Sequence, residues 1–313
     1  MELIDFSHDI PTARLPLVAT LGFFDGVHIG HRYLIEQVKK TAAGEGLPSA
    51  VITFPIHPRK VLQQDYQPKL LCGYDEKIEL LSDTDIDYCI SFPFTKERSK
   101  LSAEDFMRNI LKEKIGVKTL VIGYDHRFGR NREEGFTEYK RYGEEMGMSV
   151  IQAKELRFEG GGVSSSQIRR LLSEGNMVKA NKLLSYNYRL SGKIVEGYQV
   201  GRSIGFPTAN IKVREKYKVI PKLGVYAVLA HLSEGIHKGM LYIGKRPTLH
   251  NDSRISVEAN IFDFSGNLYN HPLTVEFIDF IRADQKFENM DALVRQIHRD
   301  KEAVMRRLAD FRI

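Results

Sequence analysis

Residues 17–31, LVATLGFFDGVHIGH, decide the fold of the first half of the chain. An apolar run of strand length, Leu17 to Leu21, leads into a glycine-rich turn that ends at about Gly30. Apolar residues then recur at helical spacing, from Leu34 to Ala42. A strand that enters a helix through such a turn is typical of an open α/β sheet, which binds ligands at the carboxyl ends of its strands.

The pattern on the carboxyl side of this stretch continues as alternating strands and helices. The predicted strands cover residues 50–54, 88–92, 119–122 and 149–153. The predicted helices cover residues 75–81, 133–146, 165–174 and 176–184, and a further helix begins after Ser102 as its N-cap. Because strands alternate with helices, we expect βαβ units and a Rossmann-like parallel sheet.

The pattern changes after about Tyr188, where short strands follow one another. They are predicted at residues 189–195, 225–231, 239–243, 255–262 and 273–280, with Gly, Pro and Asn between them. Such a series is typical of a small antiparallel β-barrel. An amphipathic helix with Asn289 as its cap closes the chain. We therefore expect an α/β protein with two domains, residues 1–186 and residues 187–313.

Composition excludes several classes of protein. The 313 residues carry a net charge of +6, which suits anionic partners, but no run of five basic residues supports a nucleic-acid binder. No apolar run reaches the roughly 20 residues of a membrane-spanning helix, and the first residues do not resemble a signal peptide. Two cysteines, Cys72 and Cys89, are too few for a disulfide framework, so we expect a cytoplasmic protein without a membrane partner.

Two motifs in the first half could bind phosphate. His28 and His31 stand at the start of a helix, where the helix N-terminus favours negative charge and imidazoles can donate hydrogen bonds. Residues 162–169, GVSSSQIR, place three hydroxyls and Arg169 at another helix start. The alternatives are a tight turn with two surface histidines and an ordinary serine cap. Neither a P-loop nor a Gly-x-Gly-x-x-Gly motif is present, so the phosphate site has to be of the His-x-Gly-His type.

Segments at two further strand ends could line a pocket for a planar ligand. Residues 54–59 contain His57 and Pro58, and residues 123–129 contain Asp125. Ordinary loop chemistry is the alternative for each.

The second half contains a candidate metal and nucleotide segment, residues 201–210, GRSIGFPTAN. Gly201 and Gly205 permit a close approach of the backbone to phosphate, and the side-chain oxygens of Thr208 and Asn210 suit a hard cation such as Mg²⁺. Downstream, strand alternation points Glu258 away from the core, where it could take a proton from a hydroxyl. The alternatives are a Gly-Pro turn and a solvated carboxylate.

Residues 22–31 together with residues 164–169 resemble the adenylyltransferase module of the bacterial bifunctional riboflavin kinase/FAD synthetase family, within the nucleotidylyltransferase superfamily. The resemblance implies that His28 and His31 contact the ATP phosphates and stabilise the transferring adenylyl group, with Arg169 assisting. It implies that further ATP contacts come from Gly22, Phe23, Asp25, Gly26, Ser164 and Ser165. It places His57, Pro58 and Asp125 near FMN.

Residues 201–210, 257–264 and 280–287 resemble the riboflavin kinase module of the same family. The resemblance implies that Thr208 and Asn210 bind Mg²⁺–ATP and that Glu258 is the general base for the riboflavin 5′-hydroxyl. It implies nucleotide contacts from Gly201, Arg202 and Gly205, and flavin contacts from Phe206 and Arg282. The sequence departs from the family at four positions: Ser166 replaces Thr, His126 replaces Phe, Tyr242 replaces Asn and Asn260 replaces His.

The resemblance implies a bifunctional transferase with two ATP-dependent steps. The second domain would phosphorylate riboflavin to FMN and release ADP, and the first would join FMN to AMP, giving FAD and pyrophosphate, with Mg²⁺ accompanying ATP. Alternatives are a chain with one active module and a flavin-binding carrier or regulator without turnover. The intact His28, His31, Thr208, Asn210 and Glu258 argue against both.

Overall fold

The computed structural model describes residues 1–6, 16–196, 201, 204–246, 254–264, 266 and 268–311. The chain forms two compact units, Met1–Ser165 and Ser166–Ile313. Each unit has its own sheet and its own buried apolar residues, as the change of pattern in the sequence predicts.

The first unit is built on a six-stranded parallel sheet. Its strands are β1 (Glu2–Asp5), β2 (Leu17–Leu21), β3 (Ser49–Thr53), β4 (Tyr88–Ser91), β5 (Val117–Ile122) and β6 (Ser149–Gln152). They lie in the order β1-β4-β3-β2-β5-β6, and every neighbouring pair is parallel. All residues of β2 and β3 are buried, because helices cover both faces of a sheet of this kind.

Five helices belong to the first unit. They are α1 (Ile29–Glu45), α2 (Pro58–Leu62), α3 (Tyr74–Ser82), α4 (Ala103–Phe106, continued as a π-helix over Met107–Ile115) and α5 (Phe136–Met146). The predicted cap at Ser102 is confirmed, since its side chain accepts a hydrogen bond from the Asp105 N–H. Helix α5 begins three residues later than predicted, because Asn131 and Arg132 adopt positive φ angles of 63° and 56° just before it.

The strand order fixes where a ligand can bind. From β2 the chain moves outward through β3 to β4, and it then returns to the other side of β2 to form β5 and β6. The order therefore reverses between β2 and β5, and the crevice outside their carboxyl ends is the usual binding place in such sheets. Both the turn after β2 and the 123–129 segment after β5 open onto this edge.

The second unit is a closed antiparallel barrel of six strands. They are β9 (Arg189–Val195), β10 (Ala209–Val213), β11 (Gly224–Leu232), β12 (Gly235–Arg246), β13 (Arg254–Ile261) and β14 (Pro272–Ala283), in the order β10-β13-β12-β11-β14-β9. Two short strands near the end of the first unit, β7 (Arg157–Phe158) and β8 (Gly161–Gly162), form a hairpin that the sequence pattern does not predict.

Strand β11 is buried on both faces, and this explains its unbroken apolar sequence. Tyr226 and Val228 are fully buried on one face, while Val225, Ala227 and Leu229 on the other share a cluster with Val304 and Leu308. Val304 lies on the terminal helix α8 (Met290–Arg307), and Leu308 is the residue that follows it. Asn289 caps this helix, as predicted. The helix therefore covers one side of the barrel.

Two further helices, α6 (Ser165–Glu174) and α7 (Met177–Leu184), adjoin the barrel. The Asn181 side chain donates to the Phe277 carbonyl at 2.7 Å, and the Lys222 N–H donates to the Leu172 carbonyl at 3.0 Å. These bonds place the compact boundary at residue 165, earlier than the predicted functional boundary at residue 186. None of the helices in the described part of the chain is long and apolar enough to cross a membrane.

Replacing Gly143 with Ala is expected to destabilise the first unit. A Cβ at Gly143 would lie 2.6 Å from both the Met148 carbonyl oxygen and Val150 Cγ2, so α5 would have to move away from β6. Overpacking of this kind costs roughly 1–3 kcal/mol, and urea unfolding measures it. Gly44→Ala in α1 is the matched control, since nothing lies within 4 Å of its added Cβ, and it is expected to leave stability equal or higher. Equal effects in both variants would contradict the close approach.

Candidate active sites

The turn after β2 is strained and buried. Phe24 and Val27 have φ angles of 54° and 37°, values that non-glycine residues adopt at a cost of about 1–3 kcal/mol, and Gly26 has a φ of 78°. Asp25 and His28 are only 4% exposed. We call residues 22–28 the nucleotide loop. Strain of this kind persists only where the surrounding contacts fix the backbone.

The segment before α3 fixes the nucleotide loop from one side. Asp25 Oδ1 accepts hydrogen bonds from the Leu71 N–H at 2.9 Å and the Cys72 N–H at 3.3 Å. The Gly26 N–H in turn donates to Cys72 Sγ at 3.0 Å. These contacts give Asp25 a structural task in the loop, and its predicted contact with ATP stays a prediction.

His28 of the loop stacks on His31 of α1. His28 is the N-cap of α1, and its Nδ1 accepts a hydrogen bond from the His31 N–H at 3.3 Å. The ring centroids are 3.6 Å apart with 16° between the planes. Burial, followed by the nearby His28, Lys77 and His126, holds the pKa of His31 well below its usual range. His31 is therefore neutral at pH 7, and its Nδ1 is buried without a hydrogen-bond partner among the described residues.

The serine motif meets the nucleotide loop, as its pairing with the histidine motif predicts. Ser165 Oγ donates to the Asp25 carbonyl at 3.0 Å, and the Val163 carbonyl lies 3.5 Å from the position of a Cβ on Gly30. Ser164 is exposed, and Arg169 is half-buried one helical turn after Ser165. Predicted triphosphate contacts of Ser164 and Arg169 stay predictions.

The segments after β3 and β5 differ in how closely they approach the loop. His57 caps α2, where Pro58 is the first residue, and the His57 ring meets the Phe23 ring edge-on at 4.7 Å. Asp125 is exposed in the turn after β5. The structure thus brings His57 against the nucleotide loop, while the flavin contacts of all three residues stay predictions.

An aromatic cavity lies at the same edge of the sheet, and it includes residues from both segments that the sequence predicts to line a pocket for a planar ligand. Phe54 comes from residues 54–59 and Phe128 from residues 123–129. Leu21, Phe94, Phe106 and Arg98 also line the cavity. Aromatic walls suit a planar ligand. The sequence does not predict the contributions of Phe94, Phe106 and Arg98, which are understood only once the strand order is known.

Lys77 is a second residue that the sequence did not reveal. It lies on α3 and is 2% exposed, and its Nζ donates to the Phe54 carbonyl at 2.7 Å and the Phe23 carbonyl at 3.1 Å. The same Nζ lies 4.2 Å from the centre of the Phe23 ring. Burial lowers the pKa of Lys77 to about 8. In the sequence, Lys77 looks like one charge on a surface helix.

In the barrel, the predicted metal residues and the predicted base share one face. Asn210 of β10 is the register partner of Glu258 of β13, and directly opposite residues point to the same side. Thr208, two residues before Asn210, donates from Oγ1 to Glu258 Oε2 at 3.4 Å. The strand β10 itself was not predicted, because residues 201–210 are interpreted from the sequence as a nucleotide and metal segment, with a Gly-Pro turn as the alternative.

Tyr242 and Asp284 extend this face. Tyr242 is the register partner of Glu258 on β12, and its hydroxyl donates to Asp284 Oδ1 at 2.9 Å. Burial, the hydrogen bond to Asp284 and the charges of Asp284 and Glu258 raise the pKa of Tyr242 to about 12. Tyr242 therefore stays protonated and links the loop after β14 to the strand beside Glu258.

The remaining predicted residues of the barrel have mainly structural contacts. Gly201 closes a turn in which the Phe206 N–H donates to its carbonyl at 2.8 Å, and Gly205 has a φ of 81°. Phe206 is buried and meets His298 of α8 edge-on at 4.9 Å. Arg202 lies outside the described residues.

Arg282 is bound to the terminal helix. Its Nη2 and Nε contact Asp300 at 2.8 and 2.9 Å, and Gln296 donates to the same carboxylate at 2.9 Å. Its predicted contact with flavin stays a prediction.

Comparison with known proteins agrees with both sites. A family model described as FAD synthetase matches residues 11–167, and one described as riboflavin kinase matches residues 184–308. The chain belongs to the bifunctional riboflavin kinase/FMN adenylyltransferase family. The relatives of that name from Listeria monocytogenes and Escherichia coli are 36% and 34% identical, with 96% of each chain covered.

A solved structure has the same fold over nearly the whole chain. It is a crystal structure named macrolide-efflux protein, from Streptococcus pneumoniae, with 29% identity and a TM-score of 0.87. The alignment covers 96% of this chain and 98% of that one. The family's two-module architecture is therefore present here from the parallel sheet to the terminal helix.

Replacing His126 with Phe is expected to reduce the loss of stability in acid. Burial, with a contribution from Arg132, lowers the pKa of His126 to about 4, so the unfolded chain binds more protons between pH 6.5 and 4. The free energy of unfolding of the native protein therefore falls across this range. Between pH 7 and 5 the native protein should lose about 1–2 kcal/mol more than His126→Phe, measured by urea unfolding. Equal losses in the two proteins would contradict a buried neutral His126.

Replacing Arg282 with Ala is expected to destabilise the barrel unit by about 3–5 kcal/mol. The reason is that the Asp300 side chain is only 3% exposed and would lose its charged partner. Arg307→Ala is the control, since it breaks a pair with Asp279 in which the arginine is 65% exposed, and its cost should stay below about 1 kcal/mol. Unfolding and riboflavin affinity are measured together. Full stability with lost affinity would assign Arg282 to flavin binding instead.

Proposed function

We propose that each unit carries out one of the two reactions of the family through the residues on its ligand-binding face. The chain phosphorylates riboflavin to FMN and then adenylylates FMN to FAD, using one ATP in each step. The observation that supports this division best is that the proposed base and metal residues lie in one unit and the two histidines lie in the other. Glu258 stands beside Thr208 and Asn210 in the barrel, whereas His28 and His31 stack at the end of β2.

In the barrel we assign the kinase reaction to the face that carries Glu258. Its carboxylate takes the proton from the riboflavin 5′-hydroxyl, the hydroxyl oxygen bonds to the γ-phosphorus of ATP, and the bond to the β-phosphate oxygen breaks to release ADP. Glu258 is half-buried next to Tyr242, which remains protonated and so adds no charge. Gly201, Arg202 and Gly205 would contact the nucleotide.

In the first unit we assign adenylyl transfer to the nucleotide loop. A phosphate oxygen of FMN bonds to the α-phosphorus of ATP, and the bond to the β-phosphate breaks to release pyrophosphate. His31 is neutral and keeps ring N–H and N positions for hydrogen bonding, so it stabilises the charge that develops on the transferring group. His28, Ser164 and Ser165 would hold the triphosphate, while the aromatic cavity lined by Phe54 would hold the flavin ring.

The chemistry of the barrel face suits Mg²⁺. Mg²⁺ is usually held by one or two protein oxygens together with substrate phosphates and waters, and it neutralises charge on the phosphates. Thr208 and Asn210 offer such oxygens on the same face as Glu258. No group of three or more acidic, histidine or cysteine ligands occurs among the described residues, so the metal would enter with ATP.

We also propose residue 186 as the functional boundary and the cytoplasm as the location. The two family models leave residues 168–183 between them, where α6 and α7 lie. Cys72 and Cys89 are both free and buried, which suits a reducing compartment.

The division of labour is tested with two variants of the full chain. Glu258→Gln is expected to abolish FMN formation from riboflavin, since the amide cannot accept the proton, and to leave conversion of added FMN to FAD intact. His31→Ala is expected to do the reverse. Purified protein is incubated with ATP, Mg²⁺ and either flavin, and products are separated by chromatography. If either single change stopped both reactions in a folded protein, the assignment of one reaction to each unit would be wrong.

A further inference from the structure

The buried ammonium of Lys77 stands between the two halves of the adenylyl-transfer site. Its Nζ binds the carbonyl of Phe23, which belongs to the nucleotide loop, and the carbonyl of Phe54, which lines the aromatic cavity. These carbonyls lie just beyond the carboxyl ends of β2 and β3, past the last register pair of the two strands, Leu21 and Ile52. A single cation therefore joins the loop proposed to bind ATP to the wall proposed to bind flavin.

The side chain of Phe23 extends the same connection. The ring lies under the Lys77 ammonium at 4.2 Å on one side and meets His57 at 4.7 Å on another. Thr53 Oγ1 also donates to the Phe23 carbonyl at 3.2 Å. The backbone of the loop and the segment after β3 are thus held to each other through Lys77 and one aromatic ring.

A buried ammonium at this position is costly, since Lys77 is 2% exposed and desolvation disfavours the charged form. Methionine would fill much of the same space without a charge. The lysine instead satisfies two carbonyls and contacts an aromatic face, and each contact is directed at a residue of the proposed site. Such a pattern is typical of a residue that positions others.

We propose that Lys77 is a positioning residue for adenylyl transfer, which fixes the distance between the nucleotide loop and the flavin-binding wall. The proposal rests on the assignment of adenylyl transfer to this unit. The attacking phosphate oxygen of FMN and the α-phosphorus of ATP have to be aligned, and a displacement of about 1 Å can cost on the order of 100-fold in rate. Lys77 contacts no reacting atom in this account and acts through Phe23 and Phe54.

The charge of Lys77 is sensitive to alkaline pH. Burial lowers its pKa to about 8, while Asp25 from the loop, Cys72 before α3 and Cys89 on β4 favour the charged form. His31 also lies close enough for the ammonium to lower its pKa. As pH rises through about 8 the ammonium loses its proton, and both its contact with the Phe23 ring and its stronger hydrogen bonds weaken.

The main test compares Lys77→Met with Lys39→Met. Lys39 is the matched control because its Nζ also donates to a backbone carbonyl, that of Thr84, at 2.8 Å, near the amino end of β4 instead of the ligand edge. Lys77→Met is expected to lower kcat for FAD formation from FMN by roughly 10- to 100-fold. Lys39→Met should keep the native kcat, and FMN formation from riboflavin should stay unchanged in both variants as an internal control.

The pH profile separates positioning from a merely structural role. In the native protein kcat for FAD formation is expected to fall above pH 8, and in Lys77→Arg this fall should move beyond pH 9.5 because the guanidinium stays charged. A level native profile from pH 7 to 9.5, or a native kcat in Lys77→Met, would overturn the proposal. If Lys77→Met does not fold, the pH profile of kcat in Lys77→Arg tests the proposal by itself. Absence of FAD formation by the native protein would contradict the assigned activity itself.

Discussion

The structure of the first unit depends on burying a loop at the carboxyl end of β2, a central strand of its parallel sheet. Residues 22–28 lie almost entirely inside the protein, and buried backbone N–H and C=O groups have to find partners. The sheet supplies the Ile52 carbonyl, which accepts from the Gly22 N–H at 3.0 Å, and Thr53 Oγ1, which donates to the Phe23 carbonyl at 3.2 Å. Side chains from other segments supply further partners, among them Lys77, Cys72 and Ser165. The same contacts that satisfy the loop also bring the separate motifs of the site together.

This requirement links stability to function in the loop. The positive φ angles of Phe24 and Val27 raise the energy of the folded state, and they persist because Asp25 and its partners fix the backbone around them. The same contacts hold the stacked imidazoles of His28 and His31 at the carboxyl end of β2. In the barrel, strand register positions the site residues, since cross-strand pairing alone sets Asn210 and Tyr242 on either side of Glu258.

Much of this arrangement could be predicted from the sequence, and the omissions have physical causes. Period-3.6 and period-2 patterns located the major helices and most strands, because burial on one face is a local signal. Strand β10 was not predicted because Pro207 and the glycines before it look like a turn. In the barrel, however, Asn210 pairs with Val195 of β9 and Ile211 pairs with Ile194. The edge strand β1 was missed because its four residues are mostly exposed and so lack a burial pattern.

The site residues also fall into two groups, those that the sequence identifies and those that it does not. Histidines, serines and the Thr208–Asn210 pair stand out because their spacing along the chain is itself the signal. Lys77 does not, and neither do Phe94 and Phe106 of the aromatic cavity, since their meaning arises from strands that are neighbours only in space. An isolated lysine in a helix is ordinarily a solvated charge. It becomes informative when the topology places β2 beside β3 and the carbonyls of Phe23 and Phe54 at their ends both accept from its ammonium. The residues that join two motifs are therefore the ones that sequence inspection is least able to find.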